Sequence, residues 1–190
     1  NTTYGIYAGG GASPGSQTAA PGPINSITAV LVSGGTMNGL TISNNAVNAC
    51  ARGIAVQGSA TSVIDTLTVT NNVVGPAASG STTSVYAAGI TLQGFAAAQV
   101  SGNTIQNMES YLAQTVWALD FGSVFSSGTN AVVEKNTIQK VNLQNPGTYG
   151  VYGINLNAGN NFTVRNNMIS DLQSNMTGGL AFSTGFGIFG

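Results

Sequence analysis

Few side chains in this sequence could do acid–base or nucleophilic chemistry. Its 190 residues include five carboxylates, four basic side chains, one cysteine and no histidine. The carboxylates are Asp65, Glu109, Asp120, Glu134 and Asp171. Two carboxyl groups flanking a glycosidic bond could act as general acid and general base in its hydrolysis. Hydrolysis of this kind requires the fold to bring two of the five carboxylates together on one surface.

Two short strand-like phrases alternate along the chain. The first is rich in aliphatic and β-branched residues and ends in a turn, with copies at 40–47, 67–74, 98–105, 132–138 and 162–169. The second is built on Gly-Ile, with copies at 53–56, 89–92, 118–121, 153–156 and 187–189, and a weaker one at 5–7. Alternation at a spacing of about thirty residues indicates a solenoid, in which each repeat is one coil of strands.

Each copy of the first phrase carries an asparagine at its turn. These residues are Asn45, Asn72, Asn103, Asn136 and Asn167, separated by 27, 31, 33 and 31 positions. The preceding residues are Asn44, Asn71, Gly102, Lys135 and Asn166, mostly types that enter the left-handed region at low cost. An amide both donates and accepts, so identical amides one coil apart can bond to each other. The pattern predicts a buried asparagine ladder that sets the register between coils.

From about residue 36 to 190 this pattern resembles the right-handed parallel β-helix superfamily, the pectate-lyase-like fold. The resemblance implies an all-β, single-stranded right-handed parallel β-helix of about five to six coils, forming one domain over residues 1–190. Lyases, hydrolases, phage tailspikes, adhesins and inert surface repeats share this fold, so function must be argued from the site. The low charge and the Gly, Asn, Ser and Thr content are most similar to those of non-catalytic bacterial repeat proteins that are secreted or displayed on the cell surface.

Loops are expected where the composition loses the strand pattern. Residues 9–26 are rich in Gly, Pro and Ser and predict a loop protruding from the first coil, after which the strand-like segment 27–32 returns to the stack. Further corner loops are expected at about 75–87, 106–116, 139–151 and 170–186. Together they would line one side of the solenoid.

The carboxylates do not form the group that polysaccharide-cleaving β-helices carry on one strand face. No two of them occupy equivalent positions in adjacent coils. The Asn-Thr-Asp, Asp-Asp and Gly-His-Gly motifs of polygalacturonases are missing, as is the acidic calcium cluster of pectate lyases. Glu134, beside Lys135 and one coil before Arg165, indicates a surface ion pair. We therefore predict no catalysis, no metal and no cofactor.

Asp120 is the strongest lone candidate for a functional carboxylate. It lies between Leu119 and Phe121 and is expected to point outward, with Thr91 and Asn155 as its neighbours in the adjacent coils. We interpret it as a hydrogen-bonded surface group.

Composition also limits the partners. Charged residues make up 5% of the chain and the net charge is −1. The basic side chains are scattered at Arg52, Lys135, Lys140 and Arg165, which argues against nucleic acid. No apolar run suggests membrane insertion. Cys50 has no partner for an internal disulfide, and is expected to be a small, partly buried residue near a corner, with pairing to another chain as the alternative.

Both ends of the chain lie at the same phase of the coil. The residues concerned are Tyr4, Ile6, Tyr7, Phe186, Ile188 and Phe189. We expect a non-catalytic structural or adhesive β-helix, extracellular or on the cell surface, that stacks head to tail on copies of itself or forms part of a long rod. The alternative is a segment trimmed from a longer protein.

Two other functions remain open at this point. A polysaccharide-binding or polysaccharide-degrading surface would use a set of residues near the loop corner: Tyr86, Tyr111, Trp117, Asp120, Tyr149 and Tyr152. The aromatic members could equally be packed beneath the loops. Ice binding would use a flat face of stacked hydroxyls, Thr41 and Ser43 over Thr68 and Thr70, but Gln99 interrupts that face in the next coil.

Overall fold

The computed structural model describes residues 3–9, 37–58, 63–80, 82–121, 128–156, 159–175 and 185–189. Every regular element in these ranges is a β-strand. The strands are β1 (Tyr4–Gly9), β2 (Leu40–Ser43), β3 (Ala46–Val47), β4 (Cys50–Gln57), β5 (Ile64–Thr70), β6 (Val73–Val74), β7 (Val85–Gln93), β8 (Phe95–Ser101), β9 (Thr104–Ser110), β10 (Val116–Asp120), β11 (Gly128–Thr129), β12 (Ala131–Glu134), β13 (Thr137–Leu143), β14 (Val151–Asn155), β15 (Gly159–Asn160), β16 (Thr163–Arg165), β17 (Met168–Ser174) and β18 (Gly185–Phe189).

Three parallel sheets run along the axis of the molecule. Sheet A has the order β1-β4-β7-β10-β14-β18, sheet B has β2-β5-β8-β12-β16, and sheet C has β3-β6-β9-β13-β17. The short pair β11 and β15 lies beside them. The chain visits sheets B, C and A in turn, which makes the architecture a parallel β-helix, as predicted. Five strands in sheets B and C are joined by four complete turns, slightly fewer than the five to six coils expected.

The interior is built from aliphatic ladders contributed by each sheet. In sheet B the ladder is Ile42, Val69, Val100, Val133 and Val164. In sheet C it is Val47, Val74, Ile105, Ile138 and Ile169. The central members are fully buried, and burial of each such side chain contributes about 1.5–3 kcal/mol. The period of two read from the first phrase therefore places its alternate residues in the core.

The Gly-Ile phrase forms the strands of sheet A. Its isoleucine and leucine positions make a third interior ladder, and its glycines allow sheet A to approach sheet C closely. A Cβ added to Gly89 would lie 2.5 Å from the carbonyl oxygen of Ala118 and 2.8 Å from Cγ2 of Ile105. Gly153 has the same relation to Gly187 and Ile169. The small residue in this phrase is thus required by packing between coils.

The asparagine ladder is present and its amides are fully used at the centre. Nδ2 of Asn72 donates to Oδ1 of Asn103 at 3.0 Å and to the carbonyl oxygen of Ile42 at 3.0 Å. Oδ1 of Asn103 also accepts the backbone N–H of Asn72 at 3.0 Å. The same pattern links Asn45 to Asn72, Asn103 to Asn136 and Asn136 to Asn167. The three central asparagines are buried and the two outer ones are half-buried.

The corner before each ladder residue has the predicted left-handed backbone. The φ values are 58° at Asn44, 55° at Asn71, 66° at Gly102, 55° at Lys135 and 55° at Asn166. A second left-handed position follows four residues after the ladder asparagine, and the sequence did not predict it. It is occupied by Ala49 (φ 54°), Asn107 (49°), Lys140 (55°) and Asp171 (53°).

Three of the predicted corner loops were placed incorrectly. Residues 106–110, 139–143 and 170–174 are not loops but the second halves of β9, β13 and β17. Their outward side chains are polar, which hid the strand pattern, and the left-handed residue bends each strand without ending it. The predicted loop at 9–26, beyond Gly9, and the predicted strand at 27–32 lie outside the described residues.

Replacing Asn103 by Leu should lower the free energy of unfolding by about 3 kcal/mol or more. The change leaves the N–H and Nδ2 groups of Asn72 and the carbonyl of Val69 without their buried partners, and each such loss costs about 1–3 kcal/mol. Urea denaturation of the variant checks this. The control is Asn71→Gly, at the exposed left-handed position of the same corner, expected within about 0.5 kcal/mol of the parent. Equal stability of Asn103→Leu and the parent would refute the ladder's role.

The left-handed conformation of Lys140 predicts an unusual order of stability in a strand. Lys140→Gly should be more stable than Lys140→Val by about 1 kcal/mol or more, because a left-handed residue with a branched Cβ is strained. The preceding residue, Gln139, is in the same strand without positive φ. There the order should reverse, since Val favours a strand and Gly disfavours it. The same order at both positions, measured by thermal unfolding, would contradict the backbone assignment.

Candidate functional site

The outer face of sheet A gathers most of the polar side chains that could form a site. Leu119 and Phe121 are fully buried in the core, so strand alternation turns Asp120 to the outer face. Asp120 is in register with Thr91 and Asn155, as the sequence predicted. Nδ2 of Asn155 donates to Oδ1 of Asp120 at 2.9 Å.

Asp120 is nevertheless not a surface group. It is 1% exposed, and its neighbours Thr91 and Asn155 are 4% and 5% exposed. The expectation of an exposed carboxylate was therefore wrong, because the outer face of sheet A is covered at this position. A carboxylate buried to this extent is a structural acceptor for its neighbours rather than a group open to a large substrate.

Arg52 adds a positive charge to the same face, although in the sequence it is only one of four scattered basic residues. It is 7% exposed, and its Nη1 donates to Oγ1 of Thr91 at 3.4 Å. We call Arg52, Thr91, Asp120 and Asn155 the polar row. One signal could have identified Arg52: it directly precedes a Gly-Ile phrase, a position that is otherwise aromatic or alanine in the coils.

The other carboxylates are spread over separate strands. Asp65 in β5 and Asp171 in β17 are exposed. Glu109, expected in a loop, lies in β9 and accepts hydrogen bonds from the hydroxyl of Tyr111 at 3.0 Å and from Nε2 of Gln144 at 3.4 Å. No group of three or more histidine, cysteine or acidic residues forms a potential metal site in the described ranges.

Glu134 forms the predicted ion pair on the outside of sheet B. Nε of Arg165 donates to Oε2 of Glu134 at 2.7 Å, and Nε2 of Gln99 donates to Oε1 at 3.3 Å. The hydrogen bond from Arg165 holds the pKa of Glu134 below its usual value. The pair joins adjacent coils and is exposed on the arginine side, so its energetic contribution is small.

The aromatic candidates do not form one platform. Trp117 and Tyr152 are half-buried and in register in β10 and β14, and the Tyr152 ring centroid is 5.4 Å from that of Phe189. The remaining three are distributed: Tyr149 packs against the core, Tyr86 is half-buried in β7, and Tyr111 is 58% exposed after β9. The structure thus brings together only two of the five aromatic residues considered for a glycan.

Cys50 is a buried free thiol in β4. Burial raises its pKa, and a backbone hydrogen bond with Gly5 opposes that shift in part. A protonated thiol is a poor nucleophile. Cys50 belongs to the core cluster, so it packs as a small apolar residue, in agreement with the interpretation of a small residue made from the sequence.

Polar side chains in this molecule bond mainly along the axis. Among the described residues, many hydrogen bonds between two side chains join positions 27 to 39 apart, which is one coil. The pair of Tyr111 and Glu109 is local instead. Gln106 with Gln139, and Asn130 with Asn161, are further examples on the outer surface. Side chains that could have faced a ligand instead link one coil to the next.

A family model described as "Right handed beta helix region" matches residues 1–189. The chain belongs to this right-handed β-helix family. The right-handed parallel β-helix that the resemblance implied is thereby confirmed. Neither a curated protein nor a solved structure matches the chain. Within the described part of this β-helix, no helix is long and apolar enough to cross a membrane.

The burial of Asp120 in this β-helix predicts a structural role that can be measured. Asp120→Ala removes the acceptor of the buried Asn155 amide, and should lower the free energy of unfolding by about 1–3 kcal/mol. Asp65→Ala, at an exposed position, is the matched control and should change it by less than about 0.5 kcal/mol. Equal effects in urea denaturation would show that the Asp120 carboxylate has no such role.

Proposed function

We propose that this β-helix is a non-catalytic structural or adhesive rod segment whose copies stack head to tail. One observation carries the proposal: polar side chains on every face form hydrogen bonds to the next coil. A surface organised for binding or catalysis would project such groups toward a ligand. Here Gln99, Glu134 and Arg165 form one chain of contacts along sheet B, and the ladder forms another inside the coil.

The distribution of carboxylates supports a role without catalysis. Glycoside hydrolysis requires two carboxyl groups on either side of the bond. Glu134 is engaged by Arg165, Glu109 by Tyr111 and Gln144, and Asp120 lies beneath the surface. These acids contribute to contacts within and between coils. The low charge and the richness in Gly, Asn, Ser and Thr support an extracellular or cell-surface location for such a rod.

The two edge strands of sheet A support stacking between copies. Tyr4-Gly5-Ile6-Tyr7 in β1 and Phe186-Gly187-Ile188-Phe189 in β18 occupy the same positions in the sheet's register. Ile188 is 54% exposed, whereas Ile154 in the neighbouring strand is fully buried. The side chain of Phe186 lies outside the described residues. An edge strand offers unpaired backbone groups to another strand, and β1 of a second copy matches β18 in residue pattern and direction.

Such a junction has a defined geometry. Sheet A contributes six strands per copy, so head-to-tail pairing of β1 on β18 gives an axial repeat of about 29 Å at a strand spacing of about 4.8 Å. The contact joins different surfaces and does not close, which produces filaments. Sheets B and C have five strands each, one fewer than sheet A. For these two sheets to continue across the junction without a gap, each of them needs one further strand there.

Concentrated protein should therefore form filaments with an axial repeat of about 29 Å. Ile188→Lys places a charge in the exposed edge and should prevent assembly while leaving the coil folded. Val73→Lys is the matched control, since Val73 is 38% exposed on the side of the rod in β6, and it should assemble normally. Electron microscopy and sedimentation check this. Monomers at every concentration, or equal assembly of both variants, would reject stacking through β18.

A further inference from the structure

One asparagine outside the ladder is exposed and precedes a glycine. Asn38-Gly39 is the single Asn-Gly pair in the sequence, and it lies directly before β2 with both residues exposed. Glycine has no Cβ to hinder approach to its own backbone nitrogen, and a Cβ built on Gly39 would have no atom within 4 Å. The surroundings of this pair are therefore open.

The Asn-Gly pair lies in a gap between two contacts with strand β5. The N–H of Asp65 donates to the carbonyl oxygen of Met37 at 3.1 Å, and regular pairing begins with Leu40, opposite Leu67. Among the described residues, the side-chain amide of Asn38 and the backbone N–H of Gly39 have no hydrogen-bond partner. Neither group of the pair is therefore held in place by a hydrogen bond.

The asparagines of the ladder are held in both of these groups. Nδ2 of Asn103 donates to the carbonyl oxygen of Val69 and to Oδ1 of Asn136. The backbone N–H that follows it, that of Thr104, donates to the carbonyl oxygen of Asn72 at 2.8 Å. The fold thus fixes both the amide of a ladder asparagine and the next nitrogen along the chain.

Exposure alone does not release the nitrogen that follows an asparagine. Asn48 is exposed, yet the N–H of Ala49 donates to the carbonyl oxygen of Thr83 at 2.8 Å. Asn38 combines exposure with a free N–H on Gly39. It differs in this way from the exposed Asn48 and from the ladder.

We propose that Asn38 is a modification site, at which spontaneous deamidation converts the side-chain amide to a carboxylate. The backbone nitrogen of Gly39 forms a bond to Cγ of Asn38, the Cγ–Nδ2 bond breaks, and the proton of the Gly39 N–H leaves with ammonia. Water then opens the cyclic imide. Cleavage between the ring nitrogen and Cγ gives aspartate, whereas cleavage between the ring nitrogen and the backbone carbonyl carbon gives isoaspartate.

The modification changes the entry of the chain into sheet B, of which β2 is an edge strand. Either product adds a negative charge to a chain whose net charge is −1. Isoaspartate also lengthens the main chain between the Met37 contact and the pairing of Leu40 with β5. The reaction involves one chain only, so it does not depend on the stacking proposed above.

Peptide mass spectrometry measures the reaction at each asparagine. The whole chain, dilute enough to sediment as a monomer, is incubated at mildly alkaline pH and sampled over time. Asn38 should convert at least about tenfold faster than Asn48, because the N–H that follows Asn48 must first leave its hydrogen bond. Asn38→Gln is the control for the assignment. Glutamine would have to close a larger ring, so this variant should show no conversion at position 38.

The same chain unfolded in urea separates the effect of the fold from that of the sequence. Unfolding should speed conversion at Asn48 and Asn103, whose restraints it removes. The rate at Asn38 in the folded chain should lie within about tenfold of its rate in urea, since no hydrogen bond has to be broken. A folded-state rate at Asn38 below that range would overturn the proposal, and so would equal folded-state rates at Asn38 and Asn48.

Discussion

The hydrogen-bond requirement of a buried asparagine amide governs each coil of this β-helix. Nδ2 of Asn103 needs two acceptors, and its Oδ1 accepts from two donors of Asn72. Leaving one of these groups unpaired costs about 1–3 kcal/mol. The requirement is met only if the preceding and following coils bring their own asparagine to the same place. That condition imposes the left-handed residue before each ladder position and aligns the strands of sheets B and C.

The sequence revealed the parts of the fold that depend on local chemistry. Alternation of aliphatic residues and the Asn or Gly before each ladder residue are visible in one coil, so the sheets and corners at Asn71 and Gly102 could be predicted. The left-handed backbone at Lys140 could not, because lysine does not favour it and the neighbouring coils impose it. The burial of Asp120 was also hidden, because strand alternation indicates that a residue faces outward but not whether that face is exposed to solvent.

On the outer surface, as in the core, polar side chains form hydrogen bonds between adjacent coils. Gln106 bonds to Gln139, and Gln99 to Glu134, in positions where a free side chain would be available to a ligand. Each exposed contact contributes little energy alone. Because these hydrogen bonds are repeated along the axis, together they resist sliding of adjacent coils and their separation under tension along the axis. This is the physical basis of the proposal that the molecule acts as a segment of a rod.

Arg52 follows the same axial arrangement, at a position where the neighbouring strands carry no charge. The equivalent position in the neighbouring strands holds Tyr4, Ala88, Trp117 and Tyr152, so stacking of coils accepts an apolar or aromatic side chain here. A buried guanidinium adds a desolvation cost that an apolar residue would avoid. The hydrogen bond from Nη1 of Arg52 to Oγ1 of Thr91 in the next coil offsets part of that cost, and Thr91 is in register with Asp120 one coil further on. Even this buried charge is therefore held by a contact that runs from one coil to the next.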